Sequence, residues 1–277
     1  MTERMVNKMR ADLHCHTLYS DGEFSVEEVI KRAKENKVDI LAITDHDTVD
    51  GALKGFNMSD DEIKIIYGVE LSTIRNNESV HILGYFKEPL TEGSLIRFFN
   101  EQKKKRKERA LKILELMKEH FNIIIDESFV NDTRSLTRGT IADEVVRQGY
   151  SYSKKEIFEK ILGDGCPCYI PSSKLTTAQG IKLIKENNGI AVVAHPCLYK
   201  HNNVYDIITL GVDGIEGRYP SKFNDETMYR RFVKNFNLLF TAGSDFHRLN
   251  DFGHGDIGTS TIDGQDLNKF LGALNEH

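Results

Sequence analysis

The sequence predicts an α/β fold in which a parallel barrel of about seven strands is interrupted by a helical insertion. Short apolar runs rich in β-branched residues alternate with amphipathic helical segments near both ends of the chain. Between them the strands disappear and the sequence becomes helical and highly charged. The apolar runs also stop at His, Asp or Glu, so polar side chains collect after the strands, as on the active face of a barrel.

The first strand is Ala11-Asp12-Leu13, ending at His14-Cys15-His16. A helix over 25–36 follows, opened by the capping box of Ser25 and Glu28. The apolar run 40–44 forms a strand that reaches Asp45-His46-Asp47, and a short helix starts at Asp50. Strands over 63–70 and 80–86 come next, the first ending in Glu70 and the second starting beside His81. From Thr91 the pattern changes to helices over 95–120, 138–148 and 154–162. After Pro171 the alternation resumes: helix 176–187, strand 190–194 before His195, helix 204–210 and strand 213–216. Helix 225–235, strand 238–241 before Asp245-Phe246-His247, and a last helix over 265–274 complete the chain. Residues 9–90 and 171–277 are therefore assigned to the barrel, and 91–170 to a helical lid capping its mouth.

A length of 277 residues with 39% hydrophobic composition suits one large barrel or two ordinary domains. The polar N-terminus lacks a signal-like apolar stretch, and no run approaches the roughly 18 apolar residues that span a bilayer, so a cytoplasmic protein with no membrane partner is expected. Four cysteines are too few for a secreted disulfide framework, and Cys166-Pro167-Cys168 reads as reduced structural thiols. The net charge of −5 argues against broad nucleic-acid coating. The basic run 103–107 is either the solvated face of a helix or an electrostatic track for a phosphorylated or oligonucleotide substrate.

Nine residues at the ends of the runs have metal-ligand chemistry: His14, His16, Asp21, His46, Glu70, His81, His195, Asp245 and His247. Six of the 10 histidines share this placement, whereas His120, His201, His254 and His277 fall outside it. Isolated, such a histidine is more often a hydrogen-bonded core residue. The shared placement favours a multinuclear centre. In an extended segment His14 and His16 point to one face and Cys15 to the other, as a small buried hydrophobe.

At Asp12-Leu13-His14-Cys15-His16, Ser20-Asp21-Gly22, Thr44-Asp45-His46-Asp47, Gly68-Val69-Glu70, His81, Ala194-His195-Pro196 and Gly243-Ser244-Asp245-Phe246-His247, the chain resembles the PHP (polymerase and histidinol phosphatase) family. Thr137-Arg138, the segment from Gly163-Asp164-Gly165 to Pro171, and Gly214-Ile215-Glu216 are most similar to its branch of nucleoside 3',5'-bisphosphate phosphatases and 5'-3' exonucleases. The resemblance implies a distorted (β/α)7 barrel holding up to three divalent ions, Mn, Fe or Zn. His14, His16, Glu70 and Asp245 would hold one ion; Glu70 would bridge to a second held by His81 and His195; Asp21, His46 and His247 would hold the third. A carboxylate can bridge two cations, whereas each imidazole nitrogen serves one. Asp45 and Asp47 are candidates for orienting the imidazoles. The chain departs from the branch at Thr140 and Tyr219, which stand where His is often found.

The expected activity is hydrolysis of a phosphomonoester of a small nucleotide-like substrate, such as a nucleoside 3',5'-bisphosphate or monophosphate, by a metal-bound hydroxide. Glu70, Asp245 and His247 are the catalytic candidates, His247 or a water protonating the leaving oxygen. Arg138 and Lys174 are candidates for a distal phosphate, with Arg218 a third and Ser135 a hydroxyl donor. The alternatives are 5'-3' exonuclease action on short RNA or DNA and, from another class, a non-catalytic metal-binding regulatory module. The ligand-rich sequence disfavours the latter. Oligomeric state is not legible.

Overall fold

The computed structural model describes residues 9–132, 136–172 and 174–277. The chain divides into two compact units, one built from its two ends up to Ile96 and from Lys174, the other from the 97–173 stretch between them.

The first unit is a mixed α/β barrel. Its strands in chain order are β1 (Ala11–Asp12), β2 (Ile40–Ile43), β3 (Lys64–Arg75), β4 (Glu78–Phe86), β5 (Leu175–Thr176), β6 (Ile190–Val193), β7 (Gly214–Arg218) and β8 (Leu239–Ala242). They lie side by side as β1-β2-β3-β4-β6-β7-β8, while the short β5 pairs with β3 off this path. The two ends of the row meet, because Leu13 N–H donates to Ala242 O at 3.0 Å and Cys15 bridges in parallel to Phe246. This nearly closes a seven-stranded barrel. All four residues of β2 and of β6 are buried, which explains why these strands read as continuous apolar runs rather than alternating ones.

One strand departs from the parallel expectation. β4 runs antiparallel to both β3 and β6, whereas the other neighbours along the row are parallel. The cause is a tight hairpin: Arg75 pairs with Glu78, and the two residues between, Asn76 and Asn77, have φ of 48° and 60°. Two consecutive left-handed residues form the hairpin turn whose twist matches the flanking strands, and Asn tolerates that conformation better than most side chains. β3 and β4 therefore run past Glu70 and before Val80, longer than the apolar pattern alone suggests.

The second unit is helical. It takes most of the 28-residue helix Ser94–Phe121, then Ser128–Asp132, Arg138–Arg147 and Lys154–Ile157, the last running into a wider π turn at Phe158–Leu162. Ile113, Met117, Ile141, Val145 and Ile161 pack into a core of its own, with Cys168 buried among them. Cys166 and Cys168 are free thiols. Among the described residues, no helix is long and apolar enough to cross a membrane.

Asp12 ties the barrel closure together. From inside β1 its carboxylate accepts N–H groups from Ser244 at 2.9 Å, Gly258 at 2.8 Å and His14 at 3.3 Å. Each buried donor left unpaired costs about 1–3 kcal/mol, so Asp12→Ala is expected to destabilise the protein by roughly 3 kcal/mol, with Asp12→Asn less damaging. Urea unfolding checks this; an unchanged midpoint for the alanine variant would contradict it.

Candidate metal centre

Every strand except β5 sends a polar side chain to one rim. His14 and His16 follow β1, His46 follows β2, and Glu70 lies within β3, where His46 forms an isolated parallel bridge with it. His195 follows β6, Glu216 lies in β7, and Asp245 and His247 follow β8. His81 sits near the start of β4. Because that strand is reversed, its start lies at the rim where its neighbours end.

The deepest group is a close cluster of four donor atoms. His14 Nε2 and His16 Nε2 are 3.2 Å apart; Glu70 Oε2 lies 3.4 and 3.2 Å from them, and Asp245 Oδ1 3.2 and 3.1 Å. Donor atoms at these separations suit ligands about 2.0 Å from one shared ion. Glu70 Oε2, Asp245 Oδ1 and His46 Nδ1 are all buried with no hydrogen-bond partner. Native proteins seldom leave such atoms orphaned, so their convergence here fits a bound cation. Cys15 points away, its thiol donating to Ala42 O at 3.3 Å.

Glu70 divides its two oxygens. Oε2 faces His14 and His16 and lies 3.1 Å from His46 Nδ1, whereas Oε1 accepts from His81 Nδ1 at 3.0 Å and His195 Nε2 at 2.9 Å. An outer group gathers around Asp21, which lies 3.3 Å from His247 Nε2 and 3.7 Å from both His46 Nε2 and His16 Nδ1. The structure thus brings all nine sequence-predicted ligands together, with His46 reaching both towards Glu70 and towards Asp21.

A further set of carboxylates and hydroxyls holds these ligands. Glu216, fully buried, accepts His14 Nδ1–H through Oε1 at 3.0 Å and the His195 backbone N–H through Oε2 at 2.6 Å. This leaves His14 Nε2 free to face the centre. In the sequence, Glu216 stood out only as part of the Gly214-Ile215-Glu216 strand that carries the branch resemblance. Tyr219 donates its O–H to Asp245 Oδ2 at 2.8 Å, which turns Oδ1 inward. Asp45 accepts from Thr17 and Ser20 rather than from an imidazole, and Asp47 accepts Ser72 N–H at 2.9 Å. Asp47, His195 and Asp245 adopt left-handed backbone with φ of 51°, 25° and 53°. For side chains other than Gly that conformation is disfavoured, and it clusters where a site over-determines the chain.

The anion-binding candidates differ in their partners. Lys174 Nζ donates to Ser79 Oγ at 3.2 Å, and Ser79 Oγ lies 3.2 Å from His81 Nε2, so Lys174 reaches the rim through one hydroxyl. Arg218 is committed to the Glu226 carboxylate, 3.0 Å away through both Nε and Nη2, and to Thr261 O. Arg138, in the helical unit, donates to Asp164 Oδ1 at 2.7 Å and to Leu162 O, with its guanidinium over the Tyr169 ring. Ser135 lies outside the described residues. Thr140 closes a capping box with Thr137, which accounts for a hydroxyl at that position. Within the basic run, Lys104 pairs with Glu108 and Lys105 with Glu101 along the same helix. His254, set aside by its sequence position, stacks on His247 with ring centroids 4.4 Å apart.

The family profile described as PHP domain matches residues 12–163, more than half of the chain. The chain belongs to the PHP domain family. A 5'-3' exoribonuclease of Haemophilus influenzae is 30% identical over 245 residues, covering 85% of this chain and 89% of the relative. A 3',5'-nucleoside bisphosphate phosphatase of Chromobacterium violaceum is 28% identical over 258 residues, covering 89% and 90%. In fold, a Bifidobacterium adolescentis protein proposed to be a metal-dependent phosphoesterase superposes with a TM-score of 0.76 at 23% identity, over 96% of each chain. The PHP chain is a metal-dependent phosphoesterase, as the sequence led one to expect.

Electrostatics within the PHP rim favour exchange of protons for cations. Burial opposes charge on His14 and His16, but the facing carboxylates outweigh it: His14 is raised well above the usual histidine range and His16 to about 10. Glu70 and Asp245 are held well below the carboxylate range by surrounding histidines, despite burial pushing the other way. Burial dominates at His46, which falls to about 4 and is neutral at pH 7. A cation must therefore displace protons from the His14–His16 pair, not from His46. Metal uptake at pH 7 is expected to release protons, and apparent affinity to drop about tenfold per displaced proton for each pH unit lost. A titration in weak buffer with a pH indicator measures this; uptake without proton release would refute it.

Proposed function

We propose that this chain hydrolyses a phosphate ester of a nucleotide, first a phosphomonoester of a nucleoside 3',5'-bisphosphate or monophosphate, using up to three Mn, Fe or Zn ions held by the nine ligands. The observation that carries the proposal is Glu70, a buried carboxylate whose oxygens face two different sets of imidazoles, an arrangement suited to adjacent cations. Bound divalent ions would lower the pKa of a coordinated water towards neutrality and offset charge on the phosphoryl oxygens. The chain's own residues supply the positioning. Glu216 and Tyr219 orient His14 and Asp245, and His247 donates Nδ1–H to Asp245 O at 2.8 Å, leaving its Nε2 for the rim. Glu70, Asp245 and His247 are proposed to surround the phosphoryl group, and Lys174 to bind a distal anion beside His81. Arg138 pairs with Asp164 within the helical unit, and Arg218 is occupied by Glu226.

The second reading is 5'-3' cleavage of short RNA, supported by the exoribonuclease relative that covers most of the chain. Both reactions break an ester on a nucleotide, so one assay separates them. Bisphosphates, mononucleotides and 5'-phosphorylated oligoribonucleotides are incubated with the protein, and inorganic phosphate and released nucleotides are counted. Phosphate release from the bisphosphate is expected, lost on chelation and restored by Mn. Release of nucleotides alone would favour the second reading, and full turnover in chelator would sink both. Glu70→Gln should lower kcat by at least about a hundredfold, because it removes a charge at the reacting centre. Lys174→Ala should raise KM about tenfold with kcat little changed, the pattern of lost uniform binding.

A further inference from the structure

The loop after β8 carries a histidine–carboxylate pair that the nine-ligand rim does not use. His254 donates Nδ1–H to Asp251 Oδ2 at 2.9 Å, and Asp251 is itself held by Gly253 N–H at 3.0 Å and Arg248 Nε at 3.2 Å. This bond places the ring proton on Nδ1 and the lone pair on Nε2, the way carboxylates present imidazoles to metals. Nε2 faces the centre, 3.6 Å from Asp245 Oδ2. That separation is too long for a hydrogen bond. It suits two donors on one cation, since ligands each about 2.1 Å from a shared ion lie roughly 3–4 Å apart. Ligand atoms of Asp245, His247 and His254 all fall within 4.8 Å of one another.

We propose that His254, oriented by Asp251, is a further metal ligand, binding through Nε2 to the cation on the Asp245–His247 edge. Asp245 then divides its oxygens as Glu70 does: Oδ1 faces His14 and His16, while Oδ2 faces His254 and accepts from Tyr219. One carboxylate oxygen has lone pairs enough for both partners. His247 donates Nδ1–H to Asp245 O, which leaves Nε2 as the atom it offers.

The proposal rests on the metal reading of the rim, and the test separates the two. Full-length protein is stripped with chelator and titrated with Co(II), followed by calorimetry and visible absorption. Wild type is compared with His254→Ala, Asp251→Asn, His247→Ala and His14→Ala, with circular dichroism confirming that each is folded. His254→Ala is expected to weaken by 10- to 100-fold the class of sites that His247→Ala weakens, and to alter its Co(II) spectrum. Asp251→Asn, which keeps His254 but removes its orienting charge, should weaken the same class by about tenfold and spare the class lost in His14→Ala. Wild-type affinities and spectra in both His254→Ala and Asp251→Asn would overturn the proposal while leaving the rim intact. A wild type that binds no Co(II) overturns both.

Discussion

A carboxylate buried among five imidazoles is the constraint on which the rest of the barrel depends. Glu70 is 1% exposed, and His14, His16, His46, His81 and His195 all lie within 3.4 Å of its oxygens. Isolated burial of an ionised carboxylate is prohibitively costly, so the surroundings must supply compensating charge. His14, His16 and His195 do so by holding protons or, in a metal-dependent phosphoesterase, by sharing cations with Glu70. Either way the ligand geometry is set by that one acid, and the strands must be in register to serve it.

The β3–β4 hairpin shows how strictly. His81 is paired with Ser72 and Leu83 with Glu70, so Glu70 and His81 occupy the same sheet face on a diagonal. A one-residue change in the Asn76-Asn77 turn would move His81 to the opposite face. Around the rim, Asp12 and Glu216 perform the corresponding task for the loops, using backbone N–H groups of His14, Ser244, Gly258 and His195 to hold residues in left-handed conformations. The ligands sit on strand ends, but their aim comes from this outer ring of hydrogen bonds.

Two further side chains touch the rim from outside the nine candidate ligands. Tyr219, which replaces an imidazole with a hydroxyl, anchors Asp245, and Lys174 approaches His81 through Ser79. Relatives named for a bisphosphate phosphatase and for an exoribonuclease match similar shares of the chain.

The sequence by itself determined the barrel and the gathering of candidate ligands. Apolar runs ending in His, Asp and Glu carry that information locally, and period-two alternation already separates His14 and His16 from Cys15. Tertiary structure decided the rest, because partners distant in sequence leave no local pattern. Glu216 was only the end of a family-like strand segment until it met His14, 202 positions away. Arg218 looked like an anion ligand until Glu226 claimed it, and His254 looked like a loop residue until its ring lay on His247. The reversal of β4 was written in Asn76-Asn77, yet only the paired register revealed that it carries His81 to the same rim as its parallel neighbours. Residue type and periodicity specify which side chains can bind a cation; hydrogen bonds between remote segments decide which nitrogen or oxygen each one offers.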